Sequence, residues 1–308
     1  MPRAVRATER GRVAVVSPMV LPLASILLAC SSAPASPPPE PRPVAAAAPG
    51  TTQAEGRQSD PPPSPAADRV RLDVPGSRRF VARAVTVALP RGYGSPDNRE
   101  RRYPVVYAFD GQLAFEGGLE IAGALDRLAV RGAIEPYLAV AVETTDDRTR
   151  ELTSDAALFG DWIESSVRPL VDARFRTRTD RSETAVVGYS YGGLAALRWF
   201  LGRPDRAPGR LVCMSSSFWW RRRVVLRELA RFRGALPARL WIDVGTREPG
   251  RGPVPYMVSD ARAVRDAFVA RGMHLGLDLG YLEEPGAFHG LEWGGQRIDR
   301  ALAFALAR

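Results

Sequence analysis

The chain has no lysine. All 43 of its basic residues are arginine, and with abundant Ala, Pro and Gly this reads as a coding bias rather than a selected basic surface. The formal charge of +9 would otherwise raise nucleic acid as a partner. The arginines are scattered and no nucleic-acid-binding motif accompanies them, so that class is set aside. Histidine and cysteine are nearly absent too: His274 and His289, Cys30 and Cys213. No multi-His or Cys-cluster metal site is expected, and no cofactor is called for. Any imidazole chemistry falls to one of two residues. A membrane-spanning run is also missing. The apolar stretch Val13–Ala29 is seventeen residues long and broken by Pro18 and Pro22, too short and too interrupted to cross a bilayer as a helix.

What is present is enough for a substantial core. The 308 residues are 45% hydrophobic and 25% charged, which excludes a wholly disordered, collagenous or disulfide-scaffold chain and leaves one large domain or two small ones. Residues 1–29 combine a basic start (Arg3, Arg6, Arg10, Arg12) with a short apolar run, the pattern of a secretory signal. The run ends Leu27-Leu28-Ala29-Cys30, which resembles a bacterial lipoprotein box with Cys30 as the lipidated residue; Leu28 stands where a smaller residue is usual. Residues 30–68 hold 11 of the 27 prolines and cannot bury enough apolar surface to offset their ordering entropy, so they read as a tether. A lipid, a tether and a domain imply a protein exported and displayed from the bacterial cell envelope. After cleavage, with Cys30 lipidated, no internal disulfide is expected in the domain, because Cys213 has no partner. It sits in an apolar strand and reads as a small buried side chain.

Residues 69–308 alternate strand and helix patterns. Val70–Val74 and Phe80–Leu89 alternate apolar and polar residues and predict an antiparallel pair. Strands are expected at Val105–Phe109, Tyr137–Val142, Thr184–Gly188, Leu211–Met214, Leu240–Val244 and His274–Leu282. Helices are expected at Gly118–Val130, Ala156–Ala173, Gly192–Leu201, Arg222–Arg233, Ser259–Arg271 and Ile298–Ala307. Repeated strand–helix units predict an α/β architecture, a mostly parallel sheet with helices on both faces.

The chemistry is concentrated in Gly188-Tyr189-Ser190-Tyr191-Gly192, a Gly-x-Ser-x-Gly between an apolar strand and a helix rich in small residues. That context is a nucleophile elbow: the turn is so tight that glycines must flank the serine, whose hydroxyl projects at the head of a helix. The Tyr191 backbone N–H points into the same space and is a candidate oxyanion donor. A serine nucleophile needs a base. His289 lies in the loop after the last strand, Glu284-Pro-Gly-Ala-Phe-His289-Gly290, the late position of the base in a doubly wound hydrolase. His274 reads as the edge of a strand. A third member should follow a strand between the serine and the histidine. Glu248 lies just beyond the Leu240–Val244 strand, on the rim where open α/β sheets bind ligands, and is favoured. Asp243 within that strand and Asp260 at a helix start remain as alternatives. Asp110-Gly111 ends the Val105–Phe109 strand and makes Gln112 N–H a candidate second oxyanion donor, although a plain turn explains those residues equally well.

With these residues in view, the domain resembles the putative-esterase family of α/β-hydrolases. That family includes siderophore esterases, esterase D and S-formylglutathione hydrolases, feruloyl and acetylxylan esterases, and mycolyltransferases. The resemblance runs over most of 70–308, through Val105–Gln112, Gly188–Gly193, Gly245–Glu248, His289 and Trp293-Gly294. It implies a Ser190–His289–Glu248 triad, oxyanion N–H groups from Tyr191 and Gln112, and two-step acyl transfer on a small-molecule ester. Ser215–Trp220 and Gly245–Pro249 are similar to the siderophore-esterase branch. Trp219, Trp220, Arg221 and Trp293 are candidates for substrate binding, the arginines for an anionic group; packing and a solvated helix start are the competing explanations. Acyl transfer to another acceptor, or a binding lipoprotein that keeps the fold, are the alternative functions.

Overall fold

A computed structural model of the protein describes residues 68–115, 117–249 and 256–308. The signal segment 1–29, Cys30 and the tether up to residue 67 lie outside the described residues. Among the described residues eight strands form one sheet: β1 (Arg69–Val74), β2 (Arg83–Ala88), β3 (Val105–Ala108), β4 (Leu138–Val142), β5 (Thr184–Tyr189), β6 (Arg210–Met214), β7 (Arg239–Gly245) and β8 (Leu279–Glu284). Their order is β1-β2-β4-β3-β5-β6-β7-β8. β2 runs antiparallel to both β1 and β4, with Arg69 opposite Ala88. All later pairings are parallel. The predicted antiparallel pair and parallel body are both present.

The helices are α1 (Gly111–Ala114), α2 (Ile121–Val130), α3 (Arg148–Leu152), α4 (Ala156–Trp162), α5 (Arg168–Arg174), α6 (Tyr191–Gly202), α7 (Trp220–Arg231), α8 (Tyr256–Val269) and α9 (Leu291–Leu306). Strand alternation sorts the two cores. Val105 and Tyr107 of β3 pack with Phe159 and Trp162 of α4 and Leu194 and Trp199 of α6. Val106 and Ala108, on the other face, pack with Ile121 and Leu125 of α2 and Ile298 and Leu302 of α9. Burial on both faces is why the central strands read as unbroken apolar runs.

Several expected boundaries move. The single helix predicted over Ala156–Ala173 is α4, a wide turn of five-residue hydrogen bonding at Ile163–Val167, then α5. Pro169, in the first turn of α5, has no N–H to donate, and the preceding backbone widens. The strand predicted from His274 begins only at Leu279. Gly276 takes φ +81° and the Asp278 carboxylate accepts the His274 N–H at 2.5 Å, so 274–278 is a turn and His274 is exposed. The last helix begins at Leu291 rather than Ile298. α2 begins at Ile121, after Gly117 and Gly118, both at positive φ. In α7, Arg221, Arg222 and Arg223 are left-handed, with φ of 45°, 53° and 60°, so regular helix starts after the arginines rather than among them.

Candidate active site

Three adjacent parallel strands end in residues with φ in the left-handed region that are not glycine: Asp110 after β3 (55°), Ser190 after β5 (58°) and Ser215 after β6 (43°). Such backbone is costly for L-residues and persists where surrounding structure over-determines it. The glycines around Ser190 show what does so. A Cβ on Gly188 would overlap the Gly192 carbonyl carbon, and one on Gly193 would collide with Ser216 Oγ. Ser190 N–H donates to Met214 O at 2.9 Å, and Ser190 O accepts from Ser217 N–H at 3.0 Å. The turn is therefore stitched to the end of β6 and to the segment that follows it. Its hydroxyl stands at the start of α6, half-buried.

The loops after β7 and β8 bring Glu248 and His289 to the same place. Thr246 N–H donates to Glu284 O and Arg247 N–H to Ala287 O, each at 2.9 Å, and Thr246 Oγ1 accepts from Gly286 N–H at 2.8 Å. These clips hold the Glu248 loop against the His289 loop. Tyr189 holds the latter from the sheet: its hydroxyl accepts the Gly290 N–H at 2.8 Å and donates to Gly290 O at 3.0 Å. His289 Nε2 lies 3.1 Å from Ser190 Oγ, and Nδ1 lies 2.9 Å from Glu248 Oε2. The Glu248 side chain is fully buried, whereas that of His289 keeps 28% of its surface open. Glu248 Oε1 accepts from Gly245 N–H at 2.7 Å and from Ser215 Oγ.

The other two acids lie elsewhere. Asp243 is buried inside β7, where burial pushes its carboxyl up to about 6 against the pull of Arg297. Asp260 falls beyond the first turn of α8, not at its start, and pairs with Arg223 at 2.5 Å. His274 is 70% exposed and its nearest acid is Asp278.

Tyr191 is the first residue of α6 and Gln112 the second of α1, so neither N–H has a carbonyl one turn back within its helix. β3 and β5 are paired neighbours, and a Cβ on Gly192 would lie 3.4 Å from Phe109 and 3.6 Å from Asp110. The starts of α1 and α6 therefore lie close together at adjacent strand ends. Gly111 is forced by the same crowding, since a Cβ there would come within 2.6 Å of Val142. Arg148 locks the turn with a forked pair to Asp110 at 2.6 and 2.7 Å. The Gln112 side chain is tied to Thr144, and Thr144 in turn to Asp110.

Aromatic side chains flank the serine. Tyr191, Trp219 and Tyr256 form a run with centroids 6.0 Å apart at each step. On the histidine side Phe288 packs on Trp293 at 6.1 Å. Trp220 takes Arg221 and Arg198 over its ring at 4.6 and 5.2 Å. Trp219, Trp220 and Trp293 are half-buried and Arg221 is exposed, whereas Phe218 is core. Four residues at or beneath the site were not singled out from sequence: Arg148, Arg297, Ser215 and Ser217, whose Oγ lies 3.2 Å from Ser190 Oγ. Their signals are weak. An arginine among 43 and a serine in a run of three do not stand out.

The sequence model of a family described as Putative esterase matches residues 81–274. The chain belongs to that family. A siderophore triacetylfusarinine C esterase of Aspergillus fumigatus is 28% identical over 193 residues, covering 58% of this chain and 64% of the relative. An iron(III) enterobactin esterase of Dickeya dadantii is 30% identical over 178 residues, covering 56% of this chain and 39% of the relative. In both, the match spans less than two thirds of the relative's length. A crystal structure of the enterobactin esterase of Shigella flexneri superposes with a TM-score of 0.63 at 23% identity, over 79% of this chain and 60% of that one. The family's α/β-hydrolase fold is thus the fold of this chain.

Proposed function

We propose that the protein is a serine carboxylic-ester hydrolase in which Ser190 is the nucleophile, His289 the base and Glu248 the orienting acid. The observation that carries this reading is the unbroken hydrogen-bond chain from Glu248 through His289 to Ser190 Oγ, set beside two helix-start N–H groups. His289 Nε2 takes the Ser190 hydroxyl proton as Oγ adds to the ester carbonyl carbon. The carbonyl electron pair moves onto oxygen, and the Tyr191 and Gln112 N–H groups hold the oxyanion. On collapse the bond to the alcohol oxygen breaks, and the imidazolium protonates the departing alkoxide. Water, deprotonated by His289, then opens the acyl-enzyme by the same route and releases the acid. Glu248 keeps the second imidazole proton on Nδ1, which leaves Nε2 free to accept.

The substrate class we assign is a siderophore-type ester with an aromatic, acidic group. The names of the relatives support a siderophore ester, and structures of the Shigella enzyme determined in the presence of enterobactin and of 2,3-dihydroxy-N-benzoyl-serine support the aromatic group. So do the aromatic run beside Ser190 and the exposed arginines at 221–223, which suit a flat anionic ring. Full-length protein is expected to hydrolyse a 2,3-dihydroxybenzoyl-serine ester with kcat/KM about 10²-fold above that for p-nitrophenyl butyrate, because binding energy from the ring is realised in the transition state. Equal values would remove the siderophore assignment; no turnover of either would remove the esterase.

We also read residues 1–29 as an export signal and Cys30 as a lipid anchor to the bacterial envelope. Cys30→Ser is expected to move the expressed protein from the membrane fraction to the soluble one. A variant that still sediments with membranes contradicts the anchor.

A further inference from the structure

Below the acid lies a buried ionic cluster that the two-step reaction does not use. The Arg297 side chain, on α9, has no exposed surface, and a guanidinium stays charged even there. Its Nη2 lies 2.7 Å from Ser215 Oγ, 3.1 Å from Asp243 Oδ1 and 3.8 Å from Glu248 Oε1. Nε and Nη1 have no hydrogen-bond partner among the described residues, so the polar contacts of this cation converge on the acid side. Asp243 also accepts from the Trp241 indole N–H at 2.8 Å and the Ser215 N–H at 3.3 Å.

The donor inventory dictates the direction of every bond. A guanidinium has only donors. Ser215 Oγ must accept from Arg297, which leaves its one proton for Glu248 Oε1. With the Gly245 N–H also on Oε1, Oε2 is left to accept from His289 Nδ1–H. Resting on the reading of Ser190, His289 and Glu248 as a triad, we propose that Arg297 is a positioning residue. Paired with Asp243, it fixes the charge and rotation of Glu248 through Ser215, and so holds His289 in the tautomer that accepts at Nε2. The charge count agrees. Above the Asp243 titration at about 6, one guanidinium against two carboxylates leaves a single negative charge facing the imidazole, which the imidazolium neutralises as it forms. Without Arg297 two negative charges face it; without Asp243 none does.

The groups facing this cluster are Tyr189 from β5, Ser215 from the end of β6, and Trp241 and Asp243 from β7, while Cys213 of β6 packs in the core on the other face of the sheet. Glu248 and His289 face it from the rim, and Arg297 from α9. Burial holds the Tyr189 hydroxyl up to about 12 and pushes the Cys213 thiol well up, so both stay neutral across the acid limb.

The test uses full-length wild type, Arg297→Gln, Arg297→Lys, Asp243→Asn and the double variant Asp243→Asn/Arg297→Gln. It reads kcat, KM and the acid limb of the kcat/KM profile, together with thermal unfolding and the downfield proton resonance of His289 Nδ1–H, which needs no substrate. Arg297→Gln is expected to lower kcat by about tenfold or more with KM unchanged, and to move the acid limb upward by about half a pH unit. Asp243→Asn moves the limb downward, and the double variant returns it toward wild type while kcat stays low. Arg297→Lys keeps the limb, because it keeps the charge, but loses part of kcat, because the ammonium does not place its donors on Ser215 and Asp243 as the guanidinium Nη2 does. Lower thermal stability with kcat, limb and resonance at their wild-type positions in folded Arg297→Gln would overturn the proposal. Should that variant not fold, the nearly isosteric Asp243→Asn decides by the direction of its limb and resonance shift. Absent turnover and absent phosphonate labelling in wild type would sink the esterase reading instead; the resonance would still report on Arg297.

Discussion

Ser190→Ala is expected to lower kcat for ester hydrolysis by about 10⁵-fold or more and to abolish labelling by a fluorophosphonate, with the fold retained. The size of the loss follows from the role proposed for the hydroxyl. Without Oγ there is no acyl-enzyme, and only the oxyanion N–H groups and substrate binding remain to accelerate direct attack by water. The fold is spared because alanine keeps the Cβ and accepts the same backbone restraint at φ 58°. The bonds that hold the turn are main-chain ones, to Met214 and Ser217. What is lost are two hydrogen bonds at a half-open site, to His289 at 3.1 Å and Ser217 at 3.2 Å, which predicts a stability change within about 1 kcal/mol. Steady-state kinetics, probe labelling and urea unfolding on the same preparation check all three. A folded variant that keeps a tenth of the wild-type rate would mean that Ser190 is not the nucleophile.

The parts of the fold legible from sequence are those where period and punctuation agree. β3, β4 and β5 are short apolar runs flanked by breakers, and both their faces are buried, so the run itself was the signal. The elbow was legible because two glycines and a small-residue helix are what crowding around Gly188 and Gly193 demands. The misplaced boundaries share a physical cause: local side-chain-to-backbone bonds or special backbone override the apolar pattern. Leu275 and Leu277 look like strand but are 56% and 64% exposed in a turn that Asp278 and Gly276 impose. Arg221–Arg223 look like the start of a helix but are left-handed.

At the site, chain order named Ser190, His289 and Glu248, and the loops after β5, β8 and β7 bring them within hydrogen-bond distance. The residues that support them were invisible for a different reason. Arg148 and Arg297 act through partners 38 and 82 positions away in sequence, Asp110 and Ser215. No local pattern encodes such a pairing. In a chain with 43 arginines composition does not mark the two that are tied to buried carboxylates at the site. Asp243 shows the converse. It was kept as an alternative to Glu248, and Glu248 is the acid that meets His289, yet Asp243 belongs to the cluster beneath Glu248 through Arg297 and Ser215.

Glu248→Gln is expected to cost about 10⁴-fold in kcat, although it changes no heavy-atom position by design. The reason lies in which oxygen serves which donor. Oε1 accepts from Gly245 N–H and Ser215 Oγ, and Oε2 from His289 Nδ1. A glutamine has one acceptor end and one donor end. With the amide oxygen toward Gly245 and Ser215, its NH₂ faces Nδ1 and forces that nitrogen to accept. The imidazole proton then sits on Nε2, against Ser190 Oγ, and the base is lost. With the amide reversed, the NH₂ meets two buried donors, each left unpaired at about 1–3 kcal/mol. Both orientations are penalised, so glutamine should be no better than Glu248→Ala, in which water can enter and accept the Nδ1 proton. Comparing kcat for the two variants, with the Nδ1–H resonance as the direct readout of the tautomer, makes the case. A glutamine variant that keeps the resonance and most of the rate would mean that Glu248 holds the loop but not the proton.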